Sequence, residues 1–77
     1  MIAVGDIVRV VNPRSIDPRE RFVVVGVGPG AYTGHTVVNV RDEQAVYRSF
    51  YADDLAVDSE HRPDGRLAAI RERVLAG

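Results

Sequence analysis

The carboxylate pairs Asp42-Glu43 and Asp53-Asp54, the histidines His35 and His61, the serines Ser15, Ser49 and Ser59, and the glycine-rich stretch Gly28–Gly34 are the groups from which a catalytic, metal or phosphate site would have to be built. Neither acidic pair has the spacing of a calcium loop or a histidine at helical distance, so no metal is expected. Asp53 and Asp54 suit a tight turn instead. The two histidines are far apart, and there is no cysteine to join either of them. No serine sits in a glycine-serine-glycine elbow. Phosphate loops run from a strand into a helix N-terminus and commonly carry a lysine. Here a second strand pattern follows the glycines and the chain has no lysine. The stretch therefore reads as a flexible hairpin connection. No catalytic residue and no cofactor is expected.

Side chains suited to recognition are easier to find. Tyr32 is the one large side chain of the glycine-rich loop, either an exposed contact or a lid over the end of the core. Tyr47, Phe50 and Tyr51 surround Arg48, a combination that can stack bases or grip a protein. In the plainer reading Phe50 fills the core and the tyrosines seal its edges. Arg14, Arg19 and Arg21 flank Asp17 and Glu20. They can hold an acidic partner, or they can form a solvated loop of weak local ion pairs. The contacts expected from these patterns are Arg14, Arg19, Tyr32, Tyr47, Arg48 and Tyr51.

These residues must be positioned by short strands. Val8 and Val10 alternate with Arg9 in Ile7–Val11, so the two valines face a core. Asn12–Glu20 is a loop, because Pro13 and Pro18 prevent regular pairing. Valine at successive positions in Arg21–Val27 means that both faces of that strand meet apolar neighbours, as in a closed or covered sheet. A closed cylinder is the expected form. Further strands are expected at His35–Arg41, at Val46–Tyr51 after the polar turn Asp42-Glu43-Gln44, and at Ala56–Asp58 after one helical turn at Ala52–Leu55. Ser59–Pro63 reads as a linker. Asp64 can cap a helix ending near Ala76. Leu67, Ile70 and Val74 recur at helical spacing and Leu75 widens the stripe. Arg71 falls within the apolar arc and must snorkel or find a partner. A helix this short is marginal alone, so its stripe must dock on its own sheet or on another chain, as in a dimer.

Composition bounds the rest. Seventy-seven residues make one domain, with residues 1–58 the β unit, 59–63 the linker and 64–76 the helix. The absence of cysteine excludes disulfides and suits a reducing compartment. No apolar run is long enough to cross a bilayer, and the N-terminal residues carry no charged leader, so a secretory signal is not expected. Ten basic and eleven acidic residues give a net charge of −1, which disfavours nucleic acid. All basic residues are arginine, and valine, alanine, glycine and aspartate abound. Such GC-rich coding points to a high-GC bacterium or one of its bacteriophages, and to action in the bacterial cytoplasm.

The order of five short strands, a long proline-bearing first loop, a central hairpin and a helical turn before the last strand resembles the SH3-like barrel. Val4-Gly5-Asp6-Ile7-Val8-Arg9-Val10 is similar to the opening of KOW-type and related small barrels. Ser49-Phe50-Tyr51-Ala52-Asp53-Asp54-Leu55-Ala56-Val57 is similar to their end. The resemblance covers residues 4–58 and implies that the helical turn drops a leucine into the barrel. The chain departs from KOW domains in lacking their basic, glycine-centred hairpin, which argues against ribosome or RNA binding. The expectation is a mainly β, five-stranded SH3-like barrel with a C-terminal helix. Its expected role is a non-catalytic protein-interaction module, a bacteriophage accessory protein acting on a host or virion protein. The alternative is a nucleic-acid-binding barrel using the same aromatic and arginine set.

Overall fold

A computed structural model describes residues 1–12, 16–31 and 34–77. Among the described residues five strands, β1 (Ile7–Val10), β2 (Phe22–Pro29), β3 (Thr36–Arg41), β4 (Tyr47–Tyr51) and β5 (Leu55–Val57), precede one helix, α1 (Gly65–Ala76). A single 3₁₀ turn, Ala52–Asp54, joins β4 to β5. The strands form one antiparallel sheet in the order β4-β3-β2-β1-β5.

The alternation of each strand divides the sheet into two faces. Val8, Val10, Phe22, Val24, Val38, Val40 and Leu55 bury together on the inner face, with Phe50, Ala52, Ile2 and Ile16 packed around them. The sheet coils strongly. Phe22 of β2 reaches Phe50 of β4 across the intervening β3, with ring centroids 5.5 Å apart in an edge-on arrangement. A bulge in β2 assists the bend: Val24 pairs with Val40 and Gly26 with Asn39, which leaves Val25 as the extra residue. Val25 thereby stays on the outer side with Val23.

The expectation of a closed cylinder is corrected here. The two ends of the strand order, β4 and β5, are not hydrogen-bonded to each other, so the sheet has two edges. The second face of the valine run is shielded by α1 instead. Leu67 and Ile70 bury against Ile7 and Val23, and Val25, Ala45 and Val74 close the margins of this second cluster. Arg71, which falls inside the apolar arc, donates from Nε to the Gly5 carbonyl at 3.0 Å. Arg66 donates to the carbonyl of Gln44 at 3.3 Å, so the first turn and the middle of α1 are tied to loops of the sheet. Leu75 is 60% exposed. What it does cover is Gly5, at φ +94°, where an added Cβ would stand 2.5 Å from the leucine Cδ2.

The helix begins differently from the sequence reading. Asp64 occupies the cap position, but its side chain makes no capping bond. The chain enters α1 through Gly65 at φ +55°, a left-handed conformation that turns the aspartate away from the first amides.

Candidate functional site

The outer face of the sheet has two halves. Over Ile7, Val23 and Val25 it is covered by α1. Along β3 and β4 it carries a ladder of cross-strand pairs: Arg41 with Tyr47, Asn39 with Ser49, and Val37 with Tyr51. Residues directly opposite in an antiparallel pair point to the same face, so these six side chains share one surface.

Each rung has a definite contact. The Arg41 guanidinium stacks over the Tyr47 ring, 4.8 Å from its centroid, while its Nε donates to the Ala45 carbonyl at 3.1 Å. The Ser49 hydroxyl donates to Asn39 Oδ1 at 2.6 Å. The His35 and Tyr51 rings lie with centroids 5.5 Å apart. Beside the ladder, β2 contributes Gly26 and Gly28. A side chain at Gly28 would meet nothing within 4 Å, so the glycines leave a step of bare backbone next to the aromatic rungs. Tyr47 is 69% and Tyr51 41% exposed. A shallow cleft of about 350 Å³ opens along Val37, Ser49, Phe50, Tyr51 and Asp54. Larger clefts lie elsewhere, one of about 960 Å³ between the 59–63 segment and α1, the other of about 680 Å³ at the open end of the inner face beside Met1, Val27 and Val57.

The expected contact residues are not all brought together. Tyr47 and Tyr51 lie on the outer face. Arg48, between them in sequence, is opposite Val40 and points to the inner side, where its Nε reaches Asp42 at 3.4 Å. The period of a strand requires this separation. Arg19 belongs to a distant loop and is held by Asp17 through its amide (2.8 Å), Nε (3.1 Å) and Nη2 (2.9 Å). Arg14 and Tyr32 lie outside the described residues. Sequence reading overlooked Arg41, Asn39 and His35. The signal for the first two is the short turn after Arg41, which fixes the register and places Arg41 across from Tyr47.

That turn is built by Asp42. Its carboxylate is buried and accepts from the amides of Gln44 (2.9 Å) and Val46 (3.0 Å) and from Arg48. Its backbone accepts from the Ala45 amide and donates to the Val46 carbonyl at 3.1 Å. Ala45 sits at φ +66°, completing a three-residue hairpin loop of the kind that ends in a left-handed residue. Burial pushes the Asp42 carboxyl up, but the two amides and the Arg48 guanidinium outweigh it and hold the group below its ordinary value. A second anchor ties β5 to the start of β2. Arg21 Nε donates to Asp58 Oδ2 at 2.9 Å, and this bond, aided by the His61 amide, lowers the Asp58 carboxyl.

Among the described residues no three acidic or histidine side chains gather into a metal-binding group, and every buried side-chain polar atom has a hydrogen-bond partner. No described helix is long and apolar enough to cross a membrane. No family model matches this chain, and no match is found among the curated proteins or the solved structures.

Proposed function

We propose that this chain is a non-catalytic protein-binding module whose contact surface is the β3–β4 half of the outer face. One observation carries the reading: α1 covers only part of that face, while Tyr47 and Tyr51 stand exposed on the part it leaves open. Exposed tyrosines held by cross-strand partners supply rigid contact area at little entropic cost. Arg41 packs on the Tyr47 ring, and Asn39 and Ser49 offer polar groups between the two rings. The strand order, with β5 returning antiparallel to β1 after a single 3₁₀ turn, supports an SH3-like barrel as the finer description. The lysine-free, GC-rich composition supports a bacterial or bacteriophage setting for the partner.

Nucleic acid is the second reading, favoured by the tyrosines alone. The nearest arginines count against it. Arg41 and Arg48 are already engaged by the Ala45 carbonyl and the Asp42 carboxylate. The test is retention of a partner from a bacterial extract by the immobilised wild type and by the Tyr47→Ala/Tyr51→Ala double variant. The variant is expected to lose the retained protein. Retention unchanged in the variant would remove this surface from the account. A low-salt gel shift that is lost steeply as salt rises would favour nucleic acid instead.

A further inference from the structure

Among the described residues one edge of β4 is unpaired, and its phase is fixed by the turn. Asp42 donates to Val46, so the even-numbered residues of β4 bond to β3. By the alternation of an antiparallel ladder, Tyr47, Ser49 and Tyr51 turn their amide and carbonyl groups outward. Among the described residues no strand pairs with that edge. It carries no proline and no bulge, and its one charge, Arg48, is already paired with Asp42 on the inner side. The opposite edge of the sheet is poorer. β5 has three residues, and the Leu55 amide that would face outward already donates to the Ala52 carbonyl.

We propose that two copies of this chain pair antiparallel along β4, with the two-fold axis at Ser49, joining the two sheets into one. The paired edge borders the surface assigned above, and the aromatic pairs across it rest on that reading of Tyr47 and Tyr51. The sequence Tyr47-Arg48-Ser49-Phe50-Tyr51 is matched to itself about its centre. Ser49 meets Ser49 of the second copy and exchanges both backbone bonds with it. Tyr47 meets Tyr51 of the second copy on the outer face, an aromatic cross-strand pair repeated by symmetry. Arg48 falls opposite Phe50 on the inner side. Charge disfavours the neighbouring register: an axis one residue earlier would set Arg48 against Arg48, and like charges directly opposite are destabilising. A five-residue strand pair buries little area, so the dimer is weak and concentration-dependent.

Sedimentation equilibrium on the full chain tests this. The weight-average mass is expected to rise from 8.4 kDa toward twice that value between about 10 μM and about 1 mM. Ser49→Pro removes an amide that points away from β3, so it spares the internal ladder and is expected to hold the mass at the monomer. Ser49→Glu, at an exposed side chain, is the control should proline disturb the fold. It places like charges across the axis and is expected to raise the dissociation constant roughly fivefold at low salt, an effect that shrinks at about 0.5 M salt. A wild type that stays monomeric throughout overturns the proposal. So does a dimer indifferent to both variants, or a mass beyond the dimer, which would mean head-to-tail association. A monomer that still retains another protein through Tyr47 and Tyr51 defeats the dimer alone and leaves the binding-module reading standing.

Discussion

The two halves of the outer face carry similar strands and opposite surfaces. Under α1 the side chains are Ile7, Val23 and Val25, which a helix can bury. On the other half, the same face of β3 and β4 presents Tyr47, Asn39, Ser49 and Tyr51, each held by a neighbour yet open to solvent, with Arg41 half-buried beside them. In so small a chain the apolar half supplies stability that the inner cluster alone would supply poorly. The aromatic half is then free of that duty. Successive valines and paired tyrosines are signs of different tasks within one sheet.

The greatest loss should come from stripping the helix side. Leu67→Ala or Ile70→Ala removes a fully packed side chain and is expected to cost about 2–4 kcal/mol by urea unfolding. A cost under 0.5 kcal/mol would mean that α1 adds little to the fold. Gly5→Ala comes next. It combines a left-handed backbone with the Leu75 side chain lying where the new methyl would go, and an expected loss of about 1–3 kcal/mol follows. An unchanged melting temperature would contradict both the left-handed backbone at Gly5 and the seating of the last turn of α1 on it.

Most of the element positions were legible because alternation is a local property. Val8 and Val10 around Arg9 located β1, and the turn residues around Asp42 located the β3–β4 hairpin. Consecutive valines in β2 revealed that both faces were covered, but they could not say by what. A closing strand and a docked helix leave the same apolar trace in one strand, and only the placement of α1 decides between them. Grouping Arg48 with Tyr47 and Tyr51 ignored the strand period, which sends it to the other face and to Asp42. The inertness of the Asp64 side chain was illegible for another reason: the left-handed Gly65 that displaces it is a backbone choice that the sequence merely permits.

A smaller effect is expected at the hairpin that sets the tyrosines in register. Asp42→Asn keeps an acceptor but loses the charge that Arg48 pairs with, and about 1–2 kcal/mol should go. The sign with pH follows from the lowered Asp42 carboxyl. Its stabilisation is complete above the ordinary carboxylate value of about 4 and is lost as pH falls through the lower folded value. The gap between wild type and variant should therefore narrow in acid-unfolding curves below about pH 4. A gap that widens there would contradict the assignment.

The most direct test of the division of labour is urea unfolding of the Tyr47→Ala/Tyr51→Ala double variant. If that half of the sheet is a contact surface, stability should change by no more than about 1 kcal/mol, the scale of one exposed cation–π contact and surface truncations. A loss of about 3 kcal/mol or more, typical of buried aromatic residues, would place the tyrosines in the core and leave the open face without its function.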